Sequence, residues 1–351
     1  MQKYYFFLNF ANLICIFQQK RVTLHAICIV GTMTTKELYR IFCKNTRDLP
    51  VFMTDWWMDA VCAGKEWDVL LSQDENGNIQ AALPYLLRKR LWAKYIIMPQ
   101  QTQTGGIWFR NDIAGDTSKV VTICQQFVQQ LADLGLHYYY QQYPINSPAV
   151  DAMRKLKFKI KKRVTYRIED LTDLDLVINS FSKNKKRQLQ KAQSLHANTS
   201  INAEEFYRFH RNCLQQQDKA ISYSREFLIV LDQKARRMKQ SQFISICDAE
   251  NHTLAAAFLV WDKQSLYYLI PCYDSQYKDS GAGTRLVLEA MKIAQEKQLA
   301  FDFEGSMIKG VATHYQQFGS TATDYYSIEK YYKWYFWLAN AVNWIRERKM
   351  R

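Results

Sequence analysis

Glycine and proline are scarce, at 12 and 6 of 351 residues. That excludes collagen-like and low-complexity chains. Intrinsic disorder is excluded by composition: 48% of residues are apolar and 23% charged, enough apolar surface to offset the entropy of ordering the chain. The eight cysteines, Cys15, Cys28, Cys43, Cys62, Cys124, Cys213, Cys247 and Cys272, form no Cys-x-x-Cys pair, and several sit in apolar runs. This predicts reduced, buried thiols in a cytoplasmic protein. The histidines show no ligand spacing. The nearest approach, His210-x-x-Cys213, cannot complete a tetrahedral site, so no metal is expected. The apolar residues 4–17 are too short for a bilayer, which takes about 20. They also lack the flanks of a signal peptide. Residues 1–32 read as an extension outside the fold, with a membrane anchor as the second reading.

The length suggests two domains. The formal charge of +14 fits either an anionic partner or mere solubility. An internal echo supports the division. DVLLSQDENGNIQAALPYL (68–86) and FISICDAENHTLAAAFLVW (243–261) align Glu75-Asn76 with Glu250-Asn251 and Ala81-Ala82 with Ala256-Ala257. Each is an apolar run, a polar turn and another apolar run, and Asn76-Gly77 is a strong hairpin signal. In both halves a helix-like run and a strand-like run follow: 118–135 then 137–143, and 284–298 then 299–305. The join falls near residues 165–175. The expected division is an extension at 1–32, an N-terminal domain at 33–167, a C-terminal domain at 168–330 and a C-terminal helix at 331–351.

Charge is unevenly placed. In RKLKFKIKKRVTYRI (154–168), Leu156, Phe158 and Ile160 alternate with lysines, which predicts a strand with one ammonium face. Such a face either binds anions or protects a sheet edge. In 178–194, Lys183, Lys185, Lys186, Arg187 and Lys191 stand with no acid among them, so Lys183, Lys185, Lys186 and Arg187 are candidate anion-binding residues on a helix. Near the end, Tyr335, Leu338, Val342 and Ile345 lie at helical spacing beside Trp334, Trp337 and Trp344. That helix packs across the domains or lies in a membrane interface.

The chemistry-bearing stretch is 265–305. A strand at 266–273 leads into Lys278-Asp279-Ser280-Gly281-Ala282-Gly283, and a helix starts near Thr284. Free N–H groups and the dipole at that helix start make an anion cradle, and the glycines allow close backbone approach. The dinucleotide pattern G-x-G-x-x-G is not met, because position 286 is Leu286. In FDFEG, Asp302 and Glu304 alternate on a strand and are expected to share a face. Burial there raises a carboxyl's pKa towards neutrality and makes it a usable base. His314 and Tyr315 follow closely. Tyr273 stands at the strand end before the loop, a candidate proton donor or a plain core tyrosine. In PQQTQTGGIWF (99–109), Gln101, Thr102, Gln103 and Thr104 suit the lining of a polar cleft. Trp56 and Trp57 read as core.

The strand–loop–helix with K-x-x-G-x-G resembles the acyl-CoA loop of the GNAT acyltransferase superfamily, with Lys278 where Gln or Arg is usual. KNKKRQLQKA and FDFEGSMIKGVATHYQQFGS (301–320) resemble the Fem-type peptidyltransferases and their acyltransferase relatives. The resemblance implies two tandem GNAT-like α/β (α+β) domains, each a mixed, mostly antiparallel sheet flanked by helices. It implies acyl transfer from acyl-CoA, such as acetyl-CoA, to a small-molecule or peptide amine held between the domains. Lys278, Ser280, Gly281, Ala282, Gly283 and Thr284 would hold the donor. Only the second domain keeps the glycine loop; NDIAGDTSK (111–119) has one glycine. The resemblance leaves two alternatives. One is an aminoacyl-tRNA donor in a cell-wall peptidyltransferase, with 154–167 and 183–191 holding phosphates. The other is an inactive anion-binding module. DNA is not an expected partner.

Overall fold

The computed structural model describes residues 33–62, 67–333 and 335–336. The extension read at 1–32 and most of the helix read at 331–351 lie outside the described residues, and Tyr331 itself ends a strand.

Helix α1 (Thr35–Asn45) starts from a capping box, in which Thr34 and Glu37 satisfy each other's backbone N–H. After α2 (Asp55–Cys62), β1 (Trp67–Gln73) and β2 (Ile79–Arg90) form the hairpin expected at Asn76-Gly77. There follow β3 (Ala93–Ile97), β4 (Trp108–Phe109), α3 (Asn111–Ala114), α4 (Thr117–Asp133), β5 (Tyr138–Tyr143), α5 (Ala149–Lys155) and β6 (Lys159–Ile168). The second half opens with α6 (Leu174–Ser180), α7 (Lys183–Lys191) and β7 (His196–Asn198), then α8 (Ala203–Gln215) and α9 (Arg225–Arg237). It continues with β8 (Ser241–Cys247), β9 (Thr253–Trp261), β10 (Ser265–Tyr273), α10 (Ala282–Glu296), β11 (Ala300–Asp302), α11 (Lys309–Gln316) and β12 (Thr321–Tyr331).

The twelve strands of the described residues form one sheet, in the order β1-β2-β3-β5-β12-β6-β11-β10-β9-β8-β7, with β4 on β2. The two halves repeat one plan. In each, three antiparallel strands (β1-β2-β3 and β8-β9-β10) lead through a long helix (α4 and α10) to a fourth strand parallel to the third (β5 and β11). The last strands are exchanged. β6 pairs with β11 of the second half, β12 pairs with β5 of the first, and β6 and β12 pair with each other from Thr321↔Arg167 to Glu329↔Lys159. The two expected sheets are therefore one, knit across the middle. The echo between 68–86 and 243–261 is the pair of hairpins β1-β2 and β8-β9.

The strand expected over 154–168 begins only at Lys159 and runs to Ile168. Residues up to Lys155 are helical. The helix closes with Phe158 N–H on the Met153 carbonyl and Lys157 N–H on the Arg154 carbonyl, with Lys157 left-handed at φ 64°. This is a Schellman turn. The period of two was the chance sum of a helix end and a strand start. Carboxylates also meet the lysines of β6: Lys159 and Lys161 pair with Glu329, and Lys162 with Asp324.

The halves share a core. Trp57 and Val69 of the first half and Phe206 and Phe258 of the second belong to one buried cluster. Trp57 is a core residue, as expected, and its indole N–H donates to Thr102 Oγ1 at 3.0 Å. His210 is buried and bonds the Tyr223 hydroxyl at 2.6 Å, a core histidine with burial pushing its pKa down to about 4. The described cysteines are free thiols, buried except for half-buried Cys43. No helix of the described residues is long and apolar enough to cross a membrane.

Candidate active site

Strands β10 and β11 pair only from Ser265↔Ala300 to Tyr267↔Asp302. Beyond Tyr267, β10 runs on to Tyr273, while the chain after β11 turns to β6 through Phe303 N–H on the Tyr166 carbonyl at 2.9 Å. At this splay lies a cleft of about 530 Å³. Its walls include Tyr268 and Tyr273 of β10, Lys278 and the start of α10 (Gly281–Thr284), Lys185 and Gln188 of α7, and His314 and Tyr315 of α11. The expected helix start at Thr284 is observed two residues earlier, at Ala282.

The two glycines of the loop do different work. Gly281 is left-handed at φ 81°, and a Cβ there would sit 2.1 Å from the Gln188 carbonyl oxygen of α7. It is required by the close crossing of α7 over the start of α10, not by a ligand. Gly283 has no atom within 4 Å of an added Cβ and lines the cleft. Ser280, expected at the cradle, is not on the cleft wall. Its hydroxyl donates to the Tyr277 carbonyl at 2.6 Å and accepts the Ala282 N–H, closing the turn.

Of the four expected anion-binding residues, Lys185 alone lines the cleft. Lys183 and Arg187 are exposed, and Lys186 donates to the Asn179 carbonyl. The reason is helical phase: Ser182 caps α7, and the row through Lys185 and Gln188 faces α10. Lys185 is only 3% exposed. Its ammonium lies 3.3 Å from Gln188 Oε1, 3.4 Å from Thr284 Oγ1 and 3.3 Å from His314 Nδ1, and 4.6 Å over the Phe318 ring. None of these is an anion, so burial drives its pKa down to about 8. Burial, then Lys185, pushes His314 down to about 4, leaving it neutral at pH 7. Its Nδ1 faces the lysine, so His314 positions that cation in the structure.

Two further cavities lie where the halves meet. One, of about 360 Å³, is bordered by Gln101, Thr102 and Gln103 with Arg163, Glu304 and Tyr325. The other, of about 340 Å³, is bordered by Gln103, Thr104, Arg167, Asp302 and Tyr325. The four amide and hydroxyl residues expected from 99–109 therefore border these cavities. Gly105 N–H donates to the Gln142 carbonyl at 2.7 Å, Gly106 N–H donates to Gln141 Oε1 at 3.1 Å, and a Cβ on Gly106 would strike the Tyr143 ring. The Gly-Gly step thus lets the loop lie on β5 just past the short β3-β5 pairing, at the place that corresponds to the cleft of the second half.

Asp302 and Glu304 were expected to share a strand face, and they do not. β11 ends at Asp302, and Glu304 is left-handed at φ 65°, followed by Gly305 at φ 66°. A Cβ on Gly305 would come within 2.4 Å of the Val164 carbonyl, so the turn is pressed onto β6. Asp302 is fully engaged: it accepts from Thr165 Oγ1 at 2.5 Å, Arg167 at 3.1 Å and the Glu304 N–H at 2.8 Å. Burial raises its pKa, and Arg167 and these donors oppose the rise. Glu304 Oε1 is buried with no hydrogen-bond partner among the described residues. Burial, then the neighbouring Asp302, holds its pKa well above the ordinary carboxylate value. A perturbed carboxyl in strained backbone beside a cavity marks a candidate functional group.

Together, the turn at 303–305 and α11 adjoin both the cleft and the first of these cavities. Tyr315 stacks on Phe303 at 4.6 Å and lines the cleft, while Glu304 lines the cavity. Gln188 and Arg163 lie in the basic segments noted above but were not among the expected site residues. Asp248, Glu250 and His252 of the β8-β9 turn have ligating atoms within 4.8 Å of one another, but line neither the cleft nor these cavities.

A strand, a glycine loop, a helix start and a splayed parallel pair form the cleft. Residues 164–317 match the family model described as "Acetyltransferase (GNAT) domain". The second half of the chain is thus similar to GNAT domains. The fold has counterparts among solved structures that span both halves of the chain. FemX superposes with a TM-score of 0.66 at 11% identity, over 84% of this chain and 96% of FemX. The C-terminal domain of a putative lysylphosphatidylglycerol synthetase from Agrobacterium fabrum superposes with a TM-score of 0.54 at 11% identity, over 84% and 92%. A protein of unknown function from Bacteroides thetaiotaomicron gives 0.54 at 10% identity, over 84% and 97%. At such identities these likenesses speak for the fold. No curated protein matches the chain. The GNAT domain is a mixed α/β unit, and it supports a transferase.

Proposed function

We propose that the chain is an N-acyltransferase whose GNAT domain holds an acyl-CoA donor in the cleft at the start of α10, while an amine acceptor enters between the halves and gives its proton to Glu304. The observation that carries this reading is the cleft itself. It places Gly283 and the positive dipole end of a helix N-terminus beside a buried ammonium that has no anionic partner among the described residues. A diphosphate supplies the missing negative charge. The splay past Tyr267 gives an acyl arm a path towards the sheet.

In the step itself, the amine nitrogen bonds the thioester carbonyl carbon and the carbon–sulfur bond breaks. Glu304 takes the proton from nitrogen. Tyr273, on the cleft wall, gives one to the departing sulfur and recovers it from solvent, to which Glu304 releases its own. A raised proton affinity suits Glu304 to receive a proton from an amine, since a base works best when its pKa lies near the working pH. Asp302 and Arg167 hold the turn that carries it.

The aminoacyl-tRNA alternative relied on two basic segments. On β6, Lys159, Lys161, Lys162 and Arg167 already meet carboxylates, and this favours the thioester. Calorimetry with acetyl-CoA tests the donor site. Wild type should bind, and Gly283→Trp, which fills the open side of the helix start, should bind at least tenfold more weakly with its melting temperature unchanged. Equal affinity in the two defeats the placement.

A further inference from the structure

The cavity beside Glu304 carries polar groups that proton removal from an amine does not use. Gln103 Nε2, Arg163 Nε and Glu304 Oε1 are all buried without a hydrogen-bond partner among the described residues. All three residues line the same cavity of about 360 Å³. A buried polar group left unmatched costs about 1–3 kcal/mol, and more when charged. Three in one cavity, from three separate segments, point to a ligand that matches them.

Each is held in place. Gln103 is 8% exposed, in the loop that Gly105 and Gly106 fasten to β5. Arg163 pairs across the sheet with Tyr325 and contacts its hydroxyl, which itself donates to Gln142. Along β6, Lys159, Lys161, Lys162 and Arg167 meet carboxylates, whereas no ion pair to Arg163 occurs among the described residues. Its guanidinium is a fixed fork of donors that matches a carboxylate. Met98, Pro99 and Met307 add apolar surface to the cavity.

We propose that the acceptor is an amino acid with a free carboxylate and an apolar side chain: its amine meets Glu304, and its carboxylate is taken by Arg163 and Gln103. This rests on the reading of Glu304 as the group that receives the amine. It goes beyond that reading by requiring an oxyanion on the same molecule. A simple amine would leave Arg163 Nε and Gln103 Nε2 unmatched, and sites built to bond a polar group reject ligands that lack it.

The test uses the full chain without donor. Calorimetry compares L-leucine, L-methionine and L-phenylalanine with 3-methylbutylamine, 3-(methylthio)propylamine and phenethylamine, their decarboxylated counterparts. At least one amino acid should bind tenfold or more tightly than its amine. Arg163→Met should bring it down to the level of the amine, and Gln103→Leu should weaken it independently should Arg163→Met fail to fold. Acetyl-CoA affinity, measured on the same samples, should not move in either variant. Equal binding of amino acids and amines by a protein that binds acetyl-CoA overturns this inference and leaves the donor site standing. Tighter binding of 2-aminoethyl phosphate than of every amino acid also overturns it. Discrimination between amino acid and amine without acetyl-CoA binding supports it and counts against the donor site.

Discussion

The α-carbon of Gly281 lies under the Gln188 carbonyl, so close that a Cβ would stand 2.1 Å from the oxygen. This contact joins α7 to the start of α10, and so sets the Lys185 ammonium against the helix terminus. Gly281→Ala adds that overlap to a left-handed conformation that costs an L-residue roughly 1–2 kcal/mol. The variant should lose at least about 2 kcal/mol of stability, read as a melting temperature several degrees lower. Its acetyl-CoA affinity should fall too, because Lys185 moves with α7. A variant that melts with wild type shows that the crossing is looser than described.

Lys185 should make the protein less stable and better at binding. Its pKa is near 8 in the folded chain, against 10.5 as a free side chain. Between those values the unfolded chain holds more of the proton, so stability rises with pH across that window. Below about pH 8 the penalty is fully present, at roughly 3 kcal/mol or less. Lys185→Met should therefore raise the melting temperature at pH 7 while weakening acetyl-CoA binding at least tenfold. In wild type, binding at pH 8 and above should take up a proton, seen as a dependence of the calorimetric heat on the ionisation enthalpy of the buffer. A lower melting temperature with unchanged affinity would remove Lys185 from the donor site.

What could be read in the sequence was what local pattern dictates. Asn76-Gly77 announced one hairpin, the repeat at Glu250-Asn251 announced the other, and the glycine loop announced the helix at Ala282. Patterns broke where a turn intervened within a few residues. The Schellman close at Lys157 turned an apparent strand into a helix end, and the left-handed pair at Glu304-Gly305 sent Asp302 and Glu304 to different cavities. Arg163 was hidden for another reason. It stands among lysines of the same charge, and only the pairing of β6 with β12 shows which cations have partners.

Asp302 and Glu304 are two residues apart, and their substitution should give opposite results. The Asp302 carboxylate is buried against Arg167, whose side chain is 12% exposed. Removing one member of a buried pair costs about 3–5 kcal/mol. Arg167 keeps Glu169 as a second partner, which places Asp302→Asn at the low end of that range. The expected outcome is a marked fall in melting temperature, with kcat/KM within tenfold of wild type at temperatures where the variant is folded. A catalytic loss of a hundredfold or more with stability intact would exchange the roles of the two acids.

Glu304→Gln preserves shape and removes the proton acceptor. General-base catalysis contributes about 10²–10⁴-fold, so kcat should fall by that factor. The pH profile separates this from a packing effect. Because burial lifts the pKa of Glu304 well above 4.5, the carboxylate forms only at correspondingly higher pH. The wild-type rate should therefore climb with pH through a limb above the usual carboxylate range, and the variant should lack that limb. Stability carries the same signature with the opposite sense. An acid with a raised folded pKa favours the folded chain while protonated, and that advantage fades as pH rises through the folded pKa. The melting temperature of wild type should thus decline relative to Glu304→Gln as pH rises from 4 to 8. A variant that keeps full activity, or one that keeps the acid limb, would take Glu304 out of the chemistry and leave the cavity as a binding site alone.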